Sequence, residues 1–270
     1  MFFASSFQGA ASGLAYGNFL IQAPLGILSN SLILPLLPQF SKLRSKKDFR
    51  GLQKNLMSGI EYCFLTSIFL TGFFITFNNQ IVQLVFERGA FDYAATLKVK
   101  NILIAYAVGI PFYIYRDLLV RTYYSIEKTK FPFQLSLAGI MLNAFFDWFL
   151  IGAPIKNFGN ISPYNFGVVG IILSSGIVNF IVCILLALNL RNEDIHLPNL
   201  DLLKKVILMS LASLIDSAIC FTILKTTNKL NSNFGEFLLL IFGSLTFFVI
   251  YFLVTKCLNV NKFKIYQKKI

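Results

Sequence analysis

Residues 166–190 read FGVVGIILSSGIVNFIVCILLALNL, a run without a single Asp, Glu, Lys, Arg or His. A helix rising 1.5 Å per residue needs roughly 20 mainly apolar residues to cross a hydrocarbon core about 30 Å thick, and this run is long enough. Six other apolar stretches flank it, at about 14–40, 60–77, 102–119, 133–155, 206–224 and 237–254, each bounded by polar or charged residues. They are continuously apolar and too long for the alternating segments of about ten residues in a membrane barrel. The expected fold class is all-α, a polytopic membrane protein with about seven transmembrane helices.

Composition agrees. The chain has 270 residues, 56% apolar and only 13% charged, whereas soluble domains carry about 25% charged residues. Too little charge remains to coat a water-facing surface, and no separate soluble domain fits. The net charge of +12 would in a soluble chain raise nucleic acid as a partner. Its placement argues for topology instead, because Lys and Arg collect in cytoplasmic loops. Lys42, Arg44, Lys46, Lys47, Arg50 and Lys54 follow the first stretch; Arg121, Lys128 and Lys130 follow the third; Arg191, Lys204 and Lys205 follow the fifth. The tail adds Lys256, Lys262, Lys264, Lys268 and Lys269. The alternate connections hold only Arg88, Lys98 and Lys100, then Lys156, then Lys225 and Lys229. The richer side is expected to be cytoplasmic, with the C-terminus inside and the first stretch starting outside. An external start without a basic leader segment reads as the back part of a longer protein.

Cys63, Cys183, Cys220 and Cys257 are scattered among apolar segments, and His196 is the sole histidine, so neither a disulfide framework nor a metal site is expected. No zinc-binding His pair, nucleophile elbow or phosphate-cradling loop is present, and no cofactor is implied. The informative residues are polar ones inside apolar stretches. Arg116 and Asp117 sit in the third, where a charge costs several kcal/mol unless it meets a partner or a watery cavity. Neighbours diverge by about 100° on a helix, so the two are expected to find different partners, and either can share a face with Arg121. Asn143 and Asp147 lie four apart on one helix face, where joining helices is the commoner role. Asn179 and Asp216 read the same way, and Glu61 is expected to reach interfacial water. Asn18 and Gln22 precede Pro24, whose missing N–H is expected to loosen the first helix beside two amides, as at the bends of transport pathways.

Several strings, in order along nearly the whole chain, together resemble the MurJ (MviN) family of lipid II flippases, within the multidrug/oligosaccharidyl-lipid/polysaccharide exporter superfamily. They are Gln22-Ala-Pro-Leu-Gly-Ile-Leu28 running on to Leu34-Pro-Leu-Leu-Pro-Gln-Phe-Ser-Lys42; Phe86-Glu-Arg-Gly-Ala-Phe91; Tyr115-Arg-Asp-Leu-Leu-Val-Arg-Thr-Tyr-Tyr124 leading to Thr129-Lys-Phe-Pro132; and Gly167-Val-Val-Gly-Ile-Ile172. The Arg116-Asp117 pair and Asn143-Ala-Phe-Phe-Asp-Trp148 look most like cyanobacterial members. Two positions depart from the family pattern. Phe19 stands where many members have a basic residue, and Lys128-Thr-Lys-Phe-Pro132 replaces Asp-x-x-Thr-Pro.

The resemblance implies most of a second lobe in residues 1–190, and a final helix pair with a basic cytoplasmic tail in 191–270. It implies no enzyme. The expected activity is transfer of lipid II, the undecaprenyl-pyrophosphate-linked disaccharide-pentapeptide, across the bacterial inner membrane by alternating access during peptidoglycan synthesis. Another lipid-linked polysaccharide or drug exporter, or a truncated non-transporting membrane module, is the alternative. Expected partners are lipid II, membrane lipids and an N-terminal lobe, not nucleic acid. Arg116 and Arg121 are the candidate phosphate contacts, with Asp117, Gln22 and Asn18 orienting them or the sugar-peptide.

Overall fold

A computed structural model describes residues 9–89, 91–152, 164, 166–193, 195, 197, 199–227 and 233–257. Among these residues the chain is helical, without strands. The helices are α1 (Ala10–Leu28), α2 (Leu36–Ser45), α3 (Phe49–Thr76), α4 (Asn78–Phe86), α5 (Tyr93–Ser125), α6 (Lys130–Ile151), α7 (Val168–Asn189), α8 (Asn199–Thr227) and α9 (Asn233–Cys257). Six segments are long and apolar enough to cross a membrane: Ala11–Ser45, Phe49–Thr76, Tyr93–Ser125, Lys130–Ile151, Val168–Glu193 and Leu200–Thr222. The seventh expected stretch is also helical, within α9, where the described apolar run Leu240–Lys256 is shorter. The chain is thus a polytopic helical membrane protein.

Local chemistry sets several boundaries. Asp48 and Asp92 cap α3 and α5, each accepting a hydrogen bond at 2.8 Å, from the N–H of Gly51 and of Ala95. Gly152 ends α6 in the left-handed conformation (φ 69°), which costs glycine nothing. One expectation is corrected here. Pro24 lies inside the continuous helix α1, and the departure from α geometry comes five residues later, in a single π turn at Ser29–Ile33 before Pro35. There the Leu34 N–H reaches back to the Ser29 carbonyl at 3.0 Å. A π turn displaces side chains from their α-helical register, a feature frequent at functional sites.

Inter-helix contacts show that successive long helices reverse direction. Gly13 and Gly17 lie against Ile102 and Tyr106, while Ser29 just past α1 meets Asp117 and Arg121, so α1 and α5 run parallel. Thr71 donates to the Ala107 carbonyl and Phe64 packs on Tyr115, so α3 is antiparallel to both. Tyr123 donates to the Leu186 carbonyl and Arg116 to Asn179, which makes α7 parallel to α5. In α8, Lys205 meets Glu61 and Ser213 meets the Ile68 carbonyl, a parallel pairing with α3. Finally, Tyr251 of α9 donates to the Leu65 carbonyl while Phe247 packs on Phe77. This alternation brings the basic segments 41–54, 121–130 and 191–205 to one end, where Lys128 pairs with Glu193 at 3.2 Å. Glu61 does not simply reach interfacial water; its partly buried carboxylate pairs with Lys205 across the α3–α8 contact. The tail beyond 257, Lys156, His196 and Lys229 lie outside the described residues, as do the side chains of Lys225 and Cys257. Cys63, Cys183 and Cys220 are buried free thiols.

The core is a continuous apolar cluster from Ile21 to Phe247, with Leu103, Leu118 and Tyr123 fully buried in α5. The Tyr123 hydroxyl donates to the Leu186 carbonyl at 2.9 Å and accepts from the Asn189 amide at 3.2 Å. Tyr123→Phe is expected to cost about 0.5–1.5 kcal/mol, because the buried hydroxyl's bonds to Leu186 and Asn189 are both lost. Thermal unfolding in detergent measures this, and an unchanged midpoint would show that the hydroxyl contributes nothing.

Candidate functional site

The site is built on the C-terminal half of α5, the most enclosed of the long helices. Two adjacent polar residues, Arg116 and Asp117, diverge there as helix geometry requires. Arg116 turns toward α6 and α7. One guanidinium nitrogen donates to Asn179 Oδ1 at 2.8 Å and another to Ser136 Oγ at 3.4 Å. Both acceptors are neutral, and Arg116 forms no ion pair among the described residues. Beside it opens a cavity of about 210 Å³ lined also by Tyr113, Asn143 and Ser175. Those hydroxyl and amide groups can hydrogen-bond an entering anion while the guanidinium supplies charge.

Asp117 turns the other way, toward the π turn of the first span. It accepts from Arg121 Nε at 2.8 Å and from the Ser29 hydroxyl, and Arg121 also donates to Ser29 Oγ at 3.1 Å. Asp117 therefore shares the face with Arg121, and Arg116 does not. This three-residue network is internally compensated: one cation, one anion and a hydroxyl between them. Its geometry ties α5 to the first span at the position where the helix is widest.

Asn18 and Gln22 are separate from both clusters. Gln22 Nε2 donates to Asn18 Oδ1 at 3.3 Å on the exposed side of α1, and among the described residues neither side chain bonds to the arginines. Asn143 and Asp147 join helices, as their spacing suggested. Asn143 Oδ1 accepts from Ser174 and Ser175 at 3.0 and 3.3 Å, and Asp147 also accepts from Ser174. Asp216 departs from that expectation. It is fully buried, its Oδ1 meets only the Cys220 thiol one turn along the same helix, and its Oδ2 has no partner among the described residues. Sequence reasoning missed Ser29, Ser136 and Tyr113. A serine or tyrosine in an apolar stretch gives no local signal, and their relevance arises only from helices that meet 20 to 92 positions apart.

No three His, Cys, Asp or Glu side chains gather as a metal-binding group among the described residues.

Comparison with known proteins places this arrangement in a lineage. Residues 1–247 match the family model described as lipid II flippase MurJ. A probable lipid II flippase MurJ of Synechocystis sp. is 39% identical over 179 residues, covering 66% of this chain and 31% of that protein. One from Thermotoga maritima is 26% identical over 254 residues, covering 94% of this chain and 47% of that protein. A solved structure titled lipid II flippase MurJ, inward closed conformation, superposes with a TM-score of 0.69 at 25% identity, covering 94% of this chain and 49% of that one. The chain thus spans about a third to a half of the length of these relatives. It belongs to the MurJ lipid II flippase family.

Proposed function

We propose that this chain forms the back part of a lipid II flippase, which carries the lipid-linked peptidoglycan precursor from the inner to the outer leaflet of the bacterial inner membrane. The supporting observation is Arg116. Its guanidinium lies within a membrane-spanning helix, in the helix's C-terminal half, has no carboxylate partner among the described residues and borders a polar cavity. Retaining a charge there is costly unless an anion repays it, and a pyrophosphate suits a planar, forked donor.

Within this reading Arg116 contacts phosphate. Arg121 is held by Asp117 and Ser29 in the resting arrangement and becomes available if the first span shifts at its π turn. Asn18 and Gln22, on the exposed side of α1, face the sugar-peptide. Transport proceeds by alternating access: two lobes rock around the headgroup, which requires a front lobe as partner, on the same or a separate polypeptide. The basic end of the bundle, including the C-terminal tail, lies in the cytoplasm. No covalent bond changes, so no catalytic residue is assigned.

A lipid II translocation assay in proteoliposomes, with and without a MurJ front lobe, tests the proposal. Translocation is expected only with both lobes. Its absence from the two-lobed assembly, with correct insertion verified, would sink the reading.

A further inference from the structure

A second cavity, of about 620 Å³, lies at the opposite end of the bundle from the basic segments. It is formed where α3 gives way to α4, beside the first turns of α5 and the far half of α8. Its volume falls in the range of small-ligand sites, about 300–1,000 Å³. Its lining is mixed: Ile75, Ile104 and Phe221 supply apolar surface, and Gln80, Lys100 and Asn101 supply polar groups, with Tyr93 beside them.

Part of the polar lining is unspent, although the Thr76 hydroxyl is used, donating to the Gly72 carbonyl at 2.7 Å. Gln80 Oε1 is buried and has no hydrogen-bond partner among the described residues. A buried acceptor without a donor is costly, and few such groups persist in native proteins without a reason. Asn78 is partly used, its amide donating to the Ile75 carbonyl at 2.6 Å, and Asn79 donates to Gln83 Oε1 at 3.2 Å. Lys100 forms no ion pair among the described residues. Tyr93 and Phe221 are 59% and 63% exposed, so each presents a ring to an occupant.

The composition narrows the ligand. No acidic residue lines the cavity, which disfavours a cation. A single lysine is too little charge for a pyrophosphate, which favours several cations or a bidentate arginine. Side-chain amides offer donors and an acceptor together, the pattern that pairs with vicinal hydroxyl and acetamido groups. Aromatic rings cover the apolar C–H faces of such molecules. Polar and apolar groups side by side in one lining, with Phe221 and Ile75 exposed, also suit the junction between a headgroup and its lipid.

We propose that this cavity binds the sugar portion of a lipid-borne glycan, with Gln80 Oε1 accepting from a sugar hydroxyl or acetamido N–H, Asn101 and Lys100 bonding further oxygens, and Tyr93 covering the ring. The proposal rests on the flippase reading only in naming a lipid as the carrier of the sugar. On that reading it is a site for the headgroup at the outer end, distinct from the cavity beside Arg116.

The test uses the full chain in nanodiscs, titrated with dodecyl N,N′-diacetylchitobioside and with free N,N′-diacetylchitobiose, and read by calorimetry and saturation-transfer NMR. Saturable binding of the glycoside is expected, tighter than that of the free disaccharide. Gln80→Met and Asn101→Leu should each weaken it by about threefold to tenfold, with the thermal midpoint checked for both. Wild-type affinity in both variants, or competition by inorganic pyrophosphate at the concentration at which the sugar binds, overturns the site. Equal affinity for free and lipid-borne disaccharide overturns the lipid carrier. Sugar binding that survives a failed translocation assay removes the flippase reading and leaves this site, and the reverse result removes this site alone.

Discussion

Arg116→Ala, placed in a two-lobed assembly containing this chain, is expected to reduce lipid II translocation by about 30-fold or more while leaving membrane insertion intact. The magnitude follows from the cost of truncating one side of a desolvated charge contact, about 2–5 kcal/mol. The substitution removes the guanidinium that borders the polar cavity between α5, α6 and α7, along with its bonds to Asn179 and Ser136. Because those bonds also link α5 to α6 and α7, a purely structural role must be separated from an electrostatic one. Arg116→Gln provides the separation: it keeps an amide donor near Asn179 and removes the charge. If the charge receives phosphate, Gln is as defective as Ala, and Arg116→Lys retains part of the activity, holding the charge without the fork. If Arg116 only joins helices, Gln restores transport. Normal translocation by the Ala variant sinks the assignment outright.

Gly170→Val is expected to be the most damaging single substitution for folding. Gly170 lies in the first turn of α7, where that helix crosses the end of α6. A Cβ there would sit 2.8 Å from the Leu150 carbonyl oxygen, 3.0 Å from its carbon and 3.3 Å from the Ile151 Cα. All three are backbone atoms, which no rotamer change can move. The same junction is fastened by the N–H groups of Phe166 and Gly167, which donate to the carbonyls of Leu150 and Ile151 at 3.0 and 3.1 Å. Small residues let membrane helices approach this closely, and packing rather than a hydrophobic drive holds them together. A wedge at the crossing therefore opens the α6–α7 contact, at a cost of about 1–3 kcal/mol or more. Thermal unfolding in detergent should show a large drop for Val and a smaller one for Ala. A wild-type midpoint for the Val variant would mean that the helices do not meet as described. Gly176, in the same helix, has nothing within 4 Å of its added Cβ, so Gly176→Ala serves as the matched control.

The two substitutions differ in how far the sequence foretold them. Arg116 stands out because a charge within an apolar stretch is rare and expensive. Gly170 is one of 17 glycines, and its importance depends on the backbone of α6 lying against it. Other residues divide the same way. Helical spacing anticipated that Asn143 and Asp147 share a face and that either Arg116 or Asp117 shares one with Arg121; the structure chose Asp117. That spacing did not supply their partners Ser29 and Ser174, which come from other helices. Pro24 misdirected the expected bend, because a helix in the membrane tolerates one missing N–H. The wider turn formed instead before Pro35, where a second break in the ladder follows. Glu61 read as an interfacial charge and Lys205, 144 positions away, as one basic residue of a connection; their pairing follows only from α3 and α8 lying side by side.

By itself the sequence determined the class of the molecule, the positions of its helices and the alternation of its basic segments. Those properties follow from local chain chemistry: the length of an apolar run, the cost of a bare backbone in lipid and the periodicity of the α-helix. The tertiary structure alone decided which face of each helix meets which neighbour. In a soluble protein an apolar stripe marks the buried face, but these helices are apolar on nearly every side because lipid accepts what the core accepts. Helix rotation is then set by close packing and by a few polar contacts between distant segments. For that reason Arg116 came to face Asn179 and a cavity, Asp117 came to face Ser29, and Asn18 and Gln22 were left on the open side of the first helix.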